Sequence, residues 1–265
     1  MIESKLIQIE PQQIRQDYPQ VNRIDEKGVQ WIEINRGCKR QCSFCYADPN
    51  FKVFEVPEIT RNIVQIIGEG FLYDSDIKQK LAELGNKRVN GKVVYYGLSQ
   101  GFDFRLFDKE LAELFSKNRI GIINNKGKWY KGIRFAWDGG MNHEEITKQT
   151  IELLESVGYK RKHIQIFVLV NWKIPYDICI YKLQKFKEWD VKIDDCTYNT
   201  TKREKNPIYW TKKELIDFRR MCRKHNQLVL FDGYDPEQKP LAVNKKEDCG
   251  LPPTAKAVGI RPTIL

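Results

Sequence analysis

The chain has 265 residues, 41% of them hydrophobic and 30% charged, with 45 Lys and Arg against 35 Asp and Glu and a formal charge of +10. That length suits one large α/β domain with a sizeable core, and no apolar run approaches the ~20 residues of a membrane-spanning helix. The excess of positive charge favours anionic partners, nucleic acid included, although a Lys-rich surface serving solvation alone accounts for it slightly better.

The N-terminus, Met1-Ile2-Glu3-Ser4-Lys5-Leu6, lacks the basic-then-apolar order of a secretory signal. A cytoplasmic protein is therefore expected, without a membrane partner and with its thiols reduced. The odd total of seven cysteines agrees. Residues 1–28 are polar and broken by Pro11 and Pro19, and are read as an N-terminal extension on the main domain. A first strand, 29–35, follows, and Gly37 permits a tight exit into a cysteine loop. Pro57 and Glu58 mark a helix start, with Ile59, Ile63, Ile66 and Ile67 on one face. A second helix, 77–84, follows an Asp74-Ser75-Asp76 cap and stops at Gly85.

The second strand, 92–98, exits through Ser99-Gln100-Gly101-Phe102-Asp103. Residues 108–117 read as a helix with Leu111, Leu114 and Phe115 inward. Asn124-Asn125-Lys126-Gly127 marks a hairpin-like insertion over 121–131. The third strand, 133–137, ends at Asp138-Gly139-Gly140, and an amphipathic helix over 143–157 is closed by Gly158. The fourth strand, 164–170, is the most apolar, as a strand covered on both faces should be; it ends at Asn171. A helix over 176–189 and a short fifth strand, 191–194, come next. A Lys-rich loop, 197–207, leads to a helix capped by Thr211, with Glu214 in the capping-box position, that runs to His225. Residues 228–231 read as the sixth strand, ending at Asp232, and 235–265 as an irregular C-terminal tail packed on the core.

Strands alternating with helices six times predict an α/β fold with a parallel sheet and right-handed crossovers over 29–234. Two arrangements satisfy this pattern, a partial (βα)6 TIM-like barrel and a six-stranded doubly wound sheet. In both, ligands bind at the carboxyl ends of the strands.

The loop after the first strand reads Arg36-Gly37-Cys38-Lys39-Arg40-Gln41-Cys42-Ser43-Phe44-Cys45-Tyr46. Its C-x3-C-x2-C spacing puts three thiols on eight residues, enough to hold three irons of a [4Fe–4S] cube and leave the fourth open. A zinc site would need a distant fourth ligand, Cys179, Cys196, Cys222, Cys249 or one of three histidines, and none of these makes a ligand-like pair.

That motif, with Phe44 before its third cysteine, resembles the signature of the radical SAM enzymes. The resemblance implies a [4Fe–4S] cluster on Cys38, Cys42 and Cys45. S-adenosyl-L-methionine (SAM) would bind the open iron, and an electron donor such as flavodoxin or ferredoxin would drive its reductive cleavage to a 5′-deoxyadenosyl radical. It also implies the partial (βα)6 barrel rather than the doubly wound sheet. Family members usually hold the SAM amine with a Gly-Gly-Glu-like segment after the second strand. Here the aligned residues are Ser99, Gln100 and Gly101, with Asp103 as the carboxylate that could substitute. Asp138 and Asn171 fall where polar groups bind the SAM ribose or carboxylate, and Phe44 and Tyr46 are left for the adenine. Gly101-Phe102-Asp103-Phe104-Arg105 and Ile133-Arg134-Phe135-Ala136-Trp137-Asp138 are similar to segments of compact bacterial and phage radical SAM proteins.

Cys196, Cys222 and Cys249 are expected to be buried free thiols, and Cys196, at a strand end, could donate a hydrogen atom. Arg105 could meet a carboxylate or phosphate, but a surface ion pair is its commoner fate. On charge, nucleic acid or a nucleotide is the first expectation for the substrate and a peptide the second. A non-enzymatic zinc or iron–sulfur nucleic-acid-binding protein is the rival from another class.

Overall fold

The computed structural model describes residues 18–45, 47–98, 100–139, 141–198 and 209–231. The chain divides into two units, Met1–Gly233 and Tyr234–Leu265, and all described residues belong to the first. The expected tail over 235–265, Asp232 and most of the 197–207 loop lie outside the described residues.

Strand β1 (Asn22–Ile24) runs antiparallel to β2 (Gln30–Glu33), so the N-terminal extension contributes an edge strand. The chain then forms a small ribbon from β3 (Asn35–Arg36) and β4 (Lys52–Val53), which brackets the cysteine loop. Next comes β5 (Ile63–Ile67), parallel to β2. This corrects the sequence reading, in which Ile63, Ile66 and Ile67 made a helical face. Four of the five residues are β-branched, which favours a pleated surface over a helix. Pro57 and Glu58 start no helix, because Gln30 draws that segment alongside β2, donating to Glu58 O at 2.7 Å and accepting from Thr60 N at 2.9 Å.

Helix α1 (Ile77–Asn86) follows. The expected strand over 92–98 is two pieces. Its first part, β7 (Lys92–Val93), turns back on β6 (Arg88–Val89) through Asn90 and Gly91, both at positive φ. This is the Asn-Gly hairpin chemistry of a type I′ turn. The second part, β8 (Tyr95–Leu98), pairs in parallel with β5. After α2 (Lys109–Lys117), β9 (Ile120–Ile123) and β10 (Trp129–Tyr130) form the expected hairpin. It is not a mere insertion, since β9 also pairs in parallel with β8.

A second, all-parallel sheet contains β11 (Ile133–Ala136), β12 (Ile164–Val170) and β13 (Lys192–Thr197). Helices α3 (Glu144–Ser156) and α4 (Tyr176–Glu188) are its crossovers. Phe102, just past β8, bridges Phe135 of β11 in parallel and joins the two sheets. Among the described residues the strands do not close into a barrel, and the first sheet runs β1-β2-β5-β8-β9-β10. One face of the second sheet is dry: Ile133, Phe135, Ile164, Ile166, Val168 and Ile193 are at most 2% exposed. The opposite face begins with a polar ladder, Arg134 to Gln165 at 3.2 Å and Gln165 to Asp194 at 3.1 Å, and continues on β12 with Phe167 and the buried Leu169.

Helix α5 (Lys212–Leu230) is the longest element and has the expected capping box between Thr211 and Glu214. It absorbs the segment read as a sixth strand. Phe218, Cys222, His225 and Val229 are buried at helical spacing, while Leu230 and Phe231 are exposed, as a buried strand would not allow. The expected fifth strand is β13, longer than predicted and packed against α5 through Arg219, which bonds Asp195 at 3.0 Å. No helix among the described residues is long and apolar enough to cross a membrane.

Candidate functional site

A cleft of about 600 Å³, counting its open mouth, is lined by Cys38, Cys42 and Cys45 from the loop after β2 and by Glu69 and Gly70 from the turn after β5. Gln100, Gly101 and Asp103 after β8, and Ala136 and Asp138 at the end of β11, complete its walls. All of these positions lie at carboxyl ends of parallel strands, where ligands of α/β proteins bind.

The cysteine loop is folded by backbone constraints. Gly37 sits at φ 76, and a Cβ there would lie 2.6 Å or less from the carbonyls of Asp48 and Asn50. Only glycine tolerates both the conformation and the contact. Cys38 N donates to Asp48 O at 2.8 Å, and Cys45 N donates to Cys42 O at 2.9 Å. Gly70 supports the loop from beneath, since a Cβ on it would stand 2.9 Å from Gly37 O and 3.2 Å from Cys38 Cα. Cys38 and Cys42 are half-buried and Cys45 is exposed. Burial pushes the Cys38 and Cys42 thiols up, against the opposing influence of Arg40. Iron or zinc would have to displace those protons.

Among the described residues no three His, Cys, Asp or Glu side chains surround a single-ion position. A cube distributes its thiolates over three different irons, which requires a wider triangle than the ligands of one ion. Three thiols line one cleft on a glycine-cradled loop, the donor type and number that three irons of a cube would need.

Glu69 is the residue that sequence reasoning missed. It lies in Gly68-Glu69-Gly70, directly after β5, and accepts from Gly37 N at 2.7 Å. Once 63–67 is recognised as a strand, this Gly-Glu-Gly segment is the one that follows the second parallel strand in chain order. The signal was the β-branched run ending in two glycines around a carboxylate.

Asp103, offered as the substitute carboxylate, is already balanced. Arg105 binds it bidentately, at 2.8 and 2.6 Å, Arg40 lies at 3.4 Å, and the Tyr73 hydroxyl donates at 3.0 Å. Burial alone would raise the Asp103 pKa, but the Arg105 hydrogen bonds and the Arg40 charge outweigh it and hold the carboxyl below its usual value. Arg105 thus has the ion pair that is the commoner fate of such an arginine.

Asp138 faces the cleft, and desolvation pushes its pKa to about 6 despite the opposing charges of Lys182 and Arg40. Lys182, from α4, is fully buried beneath it and donates to Trp137 O at 2.8 Å and to Gly139 O, fixing the turn on both sides of Asp138. Gln100 lines the cleft, and its Nε2 is buried with no hydrogen-bond partner among the described residues. Gly101 admits the Phe167 ring where any side chain would collide. Phe44 also lines the cleft. Tyr46 and Ser99 lie outside the described residues.

Asn171 is not among the cleft-lining residues. It sits at φ 56, its Oδ1 accepts from Tyr209 N and Trp210 N, and its Nδ2 donates to Tyr198 O. Cys179 and Cys222 are buried free thiols, while Cys196 is half-buried on β13 with its pKa raised to about 12 by desolvation and nearby carboxylates. Cys249 lies outside the described residues. The chain matches no known protein-family model and no curated protein.

Proposed function

We propose that this chain is a radical SAM enzyme. The observation that carries the reading is the shared cleft: the C-x3-C-x2-C loop after β2 and Gly68-Glu69-Gly70 after the neighbouring parallel strand β5 open on the same space. The strand sequence β2, β5, β8, β11, β12 and β13 supports a partial (βα)6 TIM-like barrel as the scaffold, with the Phe102–Phe135 bridge carrying the curve from one sheet to the other. In this reading β9 and β10 are a hairpin wedged beside β8.

Cys38, Cys42 and Cys45 would hold the [4Fe–4S] cluster, which supplies the electron for reductive cleavage of SAM. Arg40 adds positive charge beside the three thiolates. Glu69, kept at the cleft rim by Gly37 N–H, is the carboxylate suited to the SAM amine, and it takes the place first assigned to Asp103. Gln100 Nε2 offers a donor for a SAM carboxylate or hydroxyl. Asp138 presents a carboxyl whose protonation changes near about pH 6, held in place by Lys182. The aromatic and apolar lining from Phe44, Phe71, Leu72 and Phe102 limits water where an open-shell species must survive.

The test is anaerobic. Protein reconstituted with iron and sulfide should be brown, hold about four irons per chain, and release 5′-deoxyadenosine from SAM with a chemical reductant. Cys38→Ala, Cys42→Ala and Cys45→Ala should each lose colour and cleavage together. Stoichiometric zinc in the native protein, with no SAM cleavage after reconstitution, would overturn the proposal in favour of a zinc-binding protein.

A further inference from the structure

We infer that Trp172, Tyr198 and Tyr209, beside Phe44, form a stacking platform for a base of single-stranded nucleic acid. The inference deepens the proposed function, on which it rests for the identity of the adjoining cleft. Its starting point is the unusual construction at Asn171. Asn171 takes a left-handed φ of 56, a conformation that asparagine adopts more readily than other non-glycine residues, and here its amide ties together three separate segments. Oδ1 accepts from Tyr209 N at 3.1 Å and Trp210 N at 3.4 Å, and Nδ2 donates to Tyr198 O at 3.1 Å.

The result is a cluster of rings around Trp172. Its centroid lies 4.3 Å from Tyr198, 5.4 Å from Tyr209 and 6.2 Å from Phe44. Phe44 also lines the cleft, so the cluster borders the site itself. Trp210 shows what a core ring in this segment looks like. It turns inward, is 5% exposed, and donates its indole N–H to Ile174 O. Tyr209, one residue earlier, turns outward and is 44% exposed. Asn171 therefore separates an inward ring, Trp210, from an outward one, Tyr209, with Trp172 and Tyr198 half-buried beside it.

Charge favours nucleic acid over an apolar peptide as the occupant. Lys173 stands 5.8 Å from the Trp172 ring centroid, and the chain carries +10. Aromatic faces accept any base, and neighbouring cations meet the phosphates, which is how sequence-tolerant single-strand binding is built. An apolar peptide would make no use of the cations.

Anisotropy of fluorescein-labelled mixed-sequence RNA and DNA single strands, with the reconstituted protein, tests the platform. Single strands should bind more tightly than the matching duplex, and affinity should fall roughly ten-fold between about 50 and 200 mM salt. Tyr209→Ala should weaken binding about five-fold or more, the effect of losing one stacking partner, and Trp172→Leu should do so more strongly. Iron content and helical circular dichroism equal to wild type show that each variant is folded. If Trp172→Leu does not fold, Tyr209→Ala alone decides. Binding that is absent, indifferent to these substitutions, or exceeded by binding of an apolar peptide overturns the platform. SAM cleavage by the wild type is measured in parallel. Cleavage without platform-dependent binding removes the inference and leaves the enzyme, whereas platform-dependent binding without cleavage does the reverse.

Discussion

Replacing Lys182 by Met tests how the floor of the cleft is held. The lysine is fully buried, donates to Trp137 O and Gly139 O, and stands 5.1 Å from the Trp137 ring centroid. Burial lowers its pKa to about 8, whereas an unfolded lysine titrates near about 10.4. Below about pH 8 both states carry the proton, and the full cost of burying the charge is present. Between the two values the unfolded chain binds more protons than the native one, so wild-type stability rises with pH. From those two pKa values, the gain between about pH 7 and about pH 9.5 is about 2 kcal/mol. The methionine variant lacks this titration. At neutral pH it loses two donated hydrogen bonds and a buried charge, opposing effects of about 1–3 kcal/mol each, so the pH dependence is the decisive quantity. Urea unfolding of iron-loaded wild type and Lys182→Met at both pH values gives it, because titrations that Lys182 does not influence cancel in the difference, while Asp138, whose carboxyl the Lys182 charge holds down in the wild type alone, adds in the same direction. The difference should move by about 2 kcal/mol in favour of the wild type at the higher pH. A shift below about 0.5 kcal/mol, the usual limit of additivity, would refute the buried-charge account.

Three further outcomes are expected. Glu69→Gln should keep its iron and raise the KM for SAM by about ten-fold, the worth of one charge-assisted hydrogen bond; unchanged KM would exclude Glu69 from the amine contact. Gly70→Ala should impair iron retention, because the added Cβ presses on Gly37 O and Cys38 Cα; full iron occupancy would show that the loop yields. Asn171→Ala should lower the urea midpoint through lost hydrogen bonds and a strained φ, and Asn171→Gly should recover about 1 kcal/mol of that loss by relieving the φ term alone. Equal stability of the two variants would count against backbone strain.

The parts of the fold that were legible in the sequence are those where a local signal and the tertiary environment agree. Thr211 and Glu214 form their capping box, Gly158 closes α3 at φ 91, and 164–170 is a strand to the residue. The failures came where one apolar spacing satisfied two periods. Ile59, Ile63, Ile66 and Ile67 fit a helical face, yet Ile63 to Ile67 is equally a short β-branched run. Pairing on both sides, to β2 and β8, decides for the strand. Leu228 to Phe231 fails in the opposite sense. Four apolar residues resemble a strand, but helix α5 had already set its buried face at Phe218, Cys222 and His225, and Val229 continues that face one turn on. The two errors act in opposite directions, one strand gained at 63–67 and one lost at 228–231, while β9 adds a further strand in parallel pairing beside β8.

In the proposed reading, that exchange also changes which carboxylate is offered to the cofactor. With 92–98 taken as the second strand, Ser99-Gln100-Gly101 stood where a carboxylate was expected, and Asp103 had to substitute. With β5 as the second strand, Gly68-Glu69-Gly70 fills the place directly. The electrostatics of the cleft support the same choice independently. Asp103 is committed to two guanidinium groups and a tyrosine hydroxyl, and Asp138 is pushed toward protonation by desolvation. Glu69 is exposed at the rim and accepts from Gly37 N–H, a donor that orients its carboxylate. In the proposed reading a cationic amine entering beside Cys38 meets Glu69 rather than Asp103, which two arginines already balance, or Asp138, whose ionised form burial disfavours, and the same Gly37 N–H that bonds Glu69 also begins the cysteine loop. Amine and cluster ligands would in this way be referred to a single backbone position.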